Sequence, residues 1–411
     1  MPTPEDHGPL VLDLSGTDVL GEAARIRARG PATRVVLPDG VPAWGVSDPE
    51  LLRRLLTDDR VSKDSYRHWP LMSEIGPAWP LFAWVAVRNM FTAYGPDHRR
   101  LRRLVSSAFT ARRTAALRPR VEALVAGLLD EIEEAGAGGP VDLRERFAYP
   151  LPIRVICELF GVGDEEMREE IRRCVDVFFR TTVTPEEAAA ALPRLQEILG
   201  GLVAEKRVRP ADDLSSDLIA ARDGGSELSE EELVDTLGLF LSAGHETTVN
   251  LLDNAIHAML TRPEQLALVR EGRASWDDVI EETLRAEPPI ANLPLRFAVE
   301  DIELDGGDVL RKGEAIVSCY AAAGRDRGLH GADAAEFDVT RADKEHMAFG
   351  YGVHHCLGAP LARLEAAIAL PALFARFPGL SLAVDPGELR PLASFISHGH
   401  QALPVVLGPA G

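Results

Sequence analysis

The residues with most chemical potential lie in one run, His346-Met-Ala-Phe-Gly-Tyr-Gly-Val-His-His-Cys-Leu-Gly-Ala-Pro-Leu-Ala-Arg363. Its thiol, Cys356, stands between paired histidines and a glycine, and an apolar helical pattern follows. Gly350 and Gly352 permit a tight bulge, and Gly358 lets backbone approach the sulfur. Pro360 suits the first turn of a helix. Backbone N–H groups and the positive end of that helix favour a thiolate. Phe349 is placed to shield it from water. On these residues alone, two other readings stay open. One is a buried, inert cysteine. The other is a zinc site from His354, His355 and Cys356, although adjacent residues rarely converge tetrahedrally on one ion and the usual ligand spacings are absent.

Three further segments carry polar chemistry. Ala243-Gly244-His245-Glu246-Thr247-Thr248 puts a carboxylate beside a hydroxyl inside a helical pattern. A threonine hydroxyl there can take a backbone hydrogen bond and loosen the helix. A mid-helix glycine costs about 1 kcal/mol relative to alanine, so Gly244 asks for a reason. Glu282 and Arg285 share a helix face at i,i+3; exposed, such a pair contributes about 0–1 kcal/mol. His98 and Arg102, four apart in Asp97-His-Arg-Arg-Leu-Arg-Arg103, present two donors on one face, a good match for a carboxylate. The alternative for that stretch is a solvated basic face.

The elements that must position these residues are mostly helices. Helical spacing predicts segments near 96–107, 111–135, 164–181, 185–207 and 359–376. A short helix opens at Ser47-Asp48-Pro49-Glu50, with Ser47 as N-cap and Glu50 closing a capping box. A second capping box at Ser229 opens a run without proline until Pro263, long enough to cross a whole domain. Strands are few: Arg34–Leu37 and Pro42–Val46 around the Asp39-Gly40 turn, then Leu295–Val299, Ala315–Cys319 and Leu403–Leu407. No repeat or low-complexity linker divides the chain, so residues 1–411 are expected to form one domain, mainly α with small β-sheets.

The bulk properties narrow the function. With 46 % hydrophobic and 26 % charged residues in 411, the chain can bury a large core. A net charge of −20 argues against nucleic acid and anionic lipid as partners. No stretch approaches a membrane span, and the N-terminus lacks a signal-peptide pattern, which predicts a cytoplasmic protein. The four cysteines, Cys157, Cys174, Cys319 and Cys356, form no CxxC pair.

Phe349, Gly350, Gly352, His354, Cys356 and Gly358 match, in register, the pattern Phe-Gly-x-Gly-x-His/Arg-x-Cys-x-Gly. In this the chain resembles the cytochrome P-450 family, and the other three segments match that family's motifs in order. The resemblance implies the P-450 fold, with the long central helix over a haem b. It implies Cys356 as proximal thiolate, the ligand that favours O–O cleavage. His98, Arg102, Arg296 and His354 would grip the haem propionates, and Ala243, Phe349, Gly350, Leu357 and Gly358 would complete the cofactor contacts. Glu246 and Thr247 would organise a proton relay to iron-bound oxygen. Glu282 and Arg285 would be scaffold.

The family usually has an arginine where Glu336 stands, joining that scaffold pair; Arg325 or Arg341 is the expected substitute. Residues 84–95, 244–250 and 395–401 look like actinobacterial biosynthetic members, among them steroid and macrolide hydroxylases and some ring-closing enzymes. The implied activity is monooxygenation of a bulky hydrophobic small molecule with O2, oxidative coupling or cyclisation being the alternative. A haem sensor would not need Glu246 and Thr247. Electrons would come from a ferredoxin with its NAD(P)H-dependent reductase, docking on Arg99, Arg100, Arg103, Arg112, Arg113 and Arg363. Expected substrate contacts are Trp69 to Trp84, Phe178, Phe179, Thr181, Leu239, Ala243, Asn292, Leu293, Phe395 and Ile396.

Overall fold

Leu51, Leu52, Leu55 and Leu56 fall on one side of the helix Pro49–Thr57, and all four are buried. Each contributes about 1.5–3 kcal/mol of hydrophobic stabilisation, which fixes this helix against the main sheet. Its N-cap is Asp48, whose carboxylate accepts from Leu51 N. Ser47, expected as the cap, instead donates its hydroxyl to the Gly30 carbonyl, because Pro49 at the first helical position moves the start one residue on.

The computed structural model describes residues 8–106, 109–179, 184–221, 227–305 and 307–408. Thr181 and the side chains of Phe178 and Phe179, expected at the substrate site, lie outside the described residues.

Helices dominate. The run from Ser229 forms a 32-residue helix, Glu230–Thr261, opened by the expected capping box between Ser229 and Glu232. At 1.5 Å per residue it is about 48 Å long. The Gly95–Ser106, Glu165–Phe179, Pro185–Val208 and Ala359–Arg376 helices lie where helical spacing predicts them. The segment 111–135 is two helices, Ala111–Ala116 and Arg118–Gly136, broken at Leu117. Pro119 in the second helix's first turn has no N–H to continue the first.

The largest sheet has six strands in the order Leu10–Val11, Ala32–Val36, Pro42–Val46, Ala315–Cys319, Asn292–Ala298 and Val61–Ser62. Pro42–Val46 runs parallel to Ala315–Cys319, and the latter antiparallel to Asn292–Ala298, with a register shift between Leu293 and Arg296. A three-stranded sheet joins Ser381–Leu382, Pro404–Val406 and Val141–Asp142. The chain is thus helix-rich with small sheets, as expected.

Glu282 and Arg285 are fully buried and paired at 2.7 Å. The guanidinium also donates to the carbonyls of Gly324, Ala334 and Glu336. Glu336 therefore serves the pair through its backbone alone. Arg341 takes the missing arginine's place, 3.7 Å from Glu282, while Arg325 donates to the Ala286 carbonyl.

Candidate active site: the cavity over Cys356

Gly350 and Gly352 both adopt positive φ, 69° and 70°. At Gly352 a Cβ would come within 2.7 Å of the Leu56 carbonyl oxygen, so a side chain there would push the loop off the helix beneath it. The bulge is closed by Cys356 N donating to the Phe349 carbonyl at 2.9 Å. Gly358 is different. Its φ is −79° and a Cβ would sit 3.8 Å from Cys356 Sγ, so it caps the Ala359–Arg376 helix without left-handed geometry. Pro360 lies in that helix's first turn, as predicted.

Of the four cysteines, Cys157, Cys174 and Cys319 are buried and only Cys356 is open. Burial pushes the Cys157 and Cys319 thiols up to about 12, which makes them inert. Cys356 opens onto a cavity while protein surrounds it. Burial pushes its thiol up too, but the Gly358 and Ala359 N–H groups and the Arg102 and Arg363 guanidinium groups pull against it. A bound metal cation would complete the deprotonation.

The cavity is about 610 Å³ and mostly apolar. His98, Arg102, Ala243, Thr247, Arg296, Phe349, Gly350, His354, Cys356, Leu357 and Gly358 all line it. Sequence-distant segments thus bring together every expected cofactor contact and one of the two expected proton-handling residues. Glu246 is the exception. It is buried on another face of the long helix, where Arg144 donates to it at 3.0 Å. Thr247 and Thr248 donate to the Ala243 and Gly244 carbonyls at 2.7 and 3.1 Å, and the helix stays continuous. Gly244 has a packing reason as well: a Cβ there would meet the Ile156 side chain at 2.7 Å.

One wall of the cavity is rich in basic side chains. Lys63, His98, Arg102, Arg296 and His354 gather there, with the two imidazole rings 4.1 Å apart. The leading influences on Lys63, His98 and His354 are burial and neighbouring cations, and all three are pushed down, His98 to about 4. His98 Nε2 and Arg296 Nε are buried without hydrogen-bond partners. A buried donor left unpaired costs about 1–3 kcal/mol, and more if charged like Arg296, unless an acceptor joins it. A flat, apolar group bearing two carboxylates and a thiolate-binding metal fits this donor set, and a haem has that composition.

Lys63 was not expected from sequence. It precedes a short helix, 3 % exposed, with its ammonium 3.2 Å from the Phe91 ring centroid. The pairing of Val61–Ser62 with Phe297–Ala298 brings it beside Arg296, and no local pattern announces that pairing. Among the expected substrate contacts, Trp84, Leu239, Ala243 and Leu293 line the cavity. Trp69, Phe395 and Ile396 are core: Trp69 stacks on Phe297, and the other two are fully buried. Asn292 donates to the Phe395 carbonyl. Phe91, Leu199 and Phe240 are lining residues the sequence did not reveal. No three-residue cluster of metal-ligating side chains occurs among the described residues, and His354 turns to His98, which removes the zinc reading.

Fold and cavity together define a haem-thiolate oxygenase. A cytochrome P450 family model matches residues 203–273 and 276–389. The chain is 45 % identical over 401 residues, 97 % of each protein, to the 2-hydroxy-5-methyl-1-naphthoate 7-hydroxylase of Streptomyces carzinostaticus. It superposes on CYP154A1 from Streptomyces coelicolor A3(2) with a TM-score of 0.91 at 56 % identity, covering 97 % of this chain and all of that one. CxnD, a cytochrome P450 for C–S bond formation in chuangxinmycin biosynthesis, aligns at TM-score 0.89 and 34 % identity over 98 % of both chains. This chain belongs to the cytochrome P450 family. It is an oxidoreductase of the monooxygenase type, acting with a haem-thiolate cofactor and O2 on a small molecule.

Proposed function

We propose that this chain is a haem b monooxygenase that hydroxylates a bulky, mostly hydrophobic natural product. The observation that carries the reading is a basic wall sharing one apolar cavity with Cys356, with His98 Nε2 and Arg296 Nε buried and unpaired. Haem b brings two propionates, and Lys63, His98, Arg102, Arg296 and His354 would hold them. Cys356 would hold the iron through its thiolate, and Ala243, Phe349, Gly350, Leu357 and Gly358 would contact the porphyrin. Bound haem supplies the oxygen-activating chemistry.

The protein's own contribution is orientation, water exclusion and proton handling. The apolar lining, including Phe91, Leu239, Phe240 and Leu293, selects a hydrophobic substrate. Thr247 presents its hydroxyl oxygen to the cavity while its proton is committed to the Ala243 carbonyl. That oxygen is thereby ready to accept a hydrogen bond from water. Glu246, one residue away, is the acid that would resupply protons to that water. The 411 residues act as one catalytic unit, cytoplasmic, reduced by a ferredoxin and its NAD(P)H-dependent reductase.

Absorption of the dithionite-reduced protein with and without carbon monoxide tests the cofactor. A strongly red-shifted Soret band is expected. A band at the position of histidine-ligated haem would remove Cys356 as ligand, and no band would end the haem reading. Product mass separates hydroxylation, which adds one oxygen, from coupling, which removes two hydrogens; the similarity to a C–S bond-forming enzyme keeps the second outcome in view.

A further inference from the structure

Glu246, Asn250, Asp253, Asn254 and His257 follow one another at helical spacing along the long helix, so they share a face. That face turns from the cavity toward Arg144 and residues 398–400. Arg144 sits on a π-helical turn, Arg144–Ala148. It donates to Glu246 at 3.0 Å and Asn250 at 2.9 Å, and lies 3.6 Å from Asp253. Asp253 in turn accepts from His400 twice, from its backbone N at 2.8 Å and from Nδ1 at 3.0 Å. Gly399 makes the approach possible: a Cβ there would stand 2.8 Å from Asn250 Oδ1 and 3.0 Å from Asp253 Oδ2. At its far end the chain of groups reaches a recess of about 170 Å³ lined by Thr17, Asp18, His398 and His400.

We propose that His400 is a pH-responsive positioning residue for Glu246, acting through Asp253 and Arg144. The inference rests on the reading of Glu246 as the proton-handling acid. Charge balance gives it direction. With His400 protonated, Asp253 is held by the imidazolium, and Arg144 keeps Glu246 turned from the cavity. With His400 neutral, Asp253 and Glu246 both draw on the Arg144 guanidinium. Asp253, fully buried, then draws Arg144 toward itself, and Glu246 is released toward Thr247.

The surroundings of His400 place its titration where this matters. Burial pushes it down, but the hydrogen bond and charge of Asp253, with Glu287, outweigh burial and the opposing Arg144, so it titrates above the ordinary histidine value. The other titratable groups around it are His257, with its ring 4.3 Å away, and His398, both pushed down to about 4 chiefly by burial. Both are therefore neutral through the range in which His400 changes charge. Arg262 and Arg325 face Glu287, and Asp18 borders the recess.

Two measurements on the haem-loaded protein test the proposal. The first follows His400 by NMR of Cε1-labelled histidine in the diamagnetic ferrous carbon-monoxide form, its signal assigned by absence in His400→Asn. Glu246→Gln should move the His400 midpoint down, since a carboxylate is lost from the shared network, while Thr247→Ala should leave it in place. The second follows substrate-free NADPH consumption with excess ferredoxin and reductase from pH 5.5 to 8.5. The wild type should rise about five-fold or more through the His400 midpoint. His400→Asn, whose amide can donate to Asp253 without charge, should stay at the high level. Asp253→Asn, which commits Arg144 to Glu246, should stay at the low level.

An unmoved midpoint in Glu246→Gln, or His400→Asn and Asp253→Asn changing in the same direction, would overturn the proposal alone, provided Glu246→Gln slows turnover. If Glu246→Gln and Thr247→Ala leave turnover and its solvent isotope effect unchanged, the proton role of Glu246 falls, and the control by His400 falls with it. The reduced carbon-monoxide spectrum of each variant verifies that it is folded and loaded.

Discussion

Glu365 lies on the Ala359–Arg376 helix behind Cys356, 1 % exposed, and its Oε2 has no partner. Burial alone pushes its carboxyl up to about 8, so it is neutral at physiological pH. The sign of its effect follows by linkage. Between the unfolded value of 4.5 and about 8, the folded chain holds a proton that the unfolded chain releases. Stability therefore falls as pH rises through that window, by up to about 1.4 kcal/mol per pH unit, and levels off above it. Glu365→Gln removes the term. Its melting temperature relative to wild type should climb from pH 5 to pH 8 in parallel thermal scans, and a constant difference would contradict the account. Lys63 gives the converse case. Lys63→Met relieves a buried cation in the apoprotein, which should melt higher, yet removes a charged donor to the propionates. Haemin affinity should drop about ten-fold, the equivalent of roughly 1.5 kcal/mol, measured by Soret titration. Neither residue carries a local signature. Cys356 was legible because its chemistry depends on neighbours in sequence, whereas Lys63 and Arg144 acquire theirs from strands and helices more than one hundred residues away.

The same division holds for elements. The long helix was legible because its start is a local capping box and its interior has no proline. Ser229 accepts from Glu232 N while Glu232 accepts from Ser229 N, and Ser229→Ala should cost about 1 kcal/mol in urea unfolding. Asp48→Ala should cost about the same, which would establish that the Pro49–Thr57 helix begins one residue later than the Ser47 pattern suggests. Misplaced edges share a cause. Asn292–Ala298 starts three residues before the predicted strand, because Asn292 and Leu293 pair with Cys319 and Ser318 across a register shift. Leu117 ends a helix because Pro119 begins another. Both depend on a partner segment or on one missing N–H, which periodicity does not register. The polar stripe from Glu246 to His257 follows helical spacing, but the sequence reading stopped at Thr248; the Gly399 segment packed against the stripe is what reveals a connected network.

At the scale of the whole molecule, a chain of net charge −20 would repel an acidic ferredoxin, the electron donor proposed above. General repulsion makes a local basic patch the deciding feature. The six arginines expected to form it are not equivalent. Arg100 pairs with Glu232, Arg113 with Asp217, and Arg363 with Glu281. These ion pairs leave the patch less positive than a residue count implies. Arg99, Arg103 and Arg112 are exposed. Arg103 adjoins Arg102, which donates to the His355 carbonyl beside the thiol, and the helix bearing Arg112 packs on the one that follows Cys356. The path from this surface to the sulfur is therefore short, and charge here should govern encounter rather than the tightness of the final complex. Reversing Arg103 and Arg112 to Glu should slow reduction by ferredoxin about ten-fold at low ionic strength, and the deficit should shrink as salt screens it over a Debye length of about 10 Å. Reversing Arg113 should do less in the same stopped-flow assay, because it also frees Asp217. An equal loss from Arg113, or a loss insensitive to salt, would place the docking surface elsewhere.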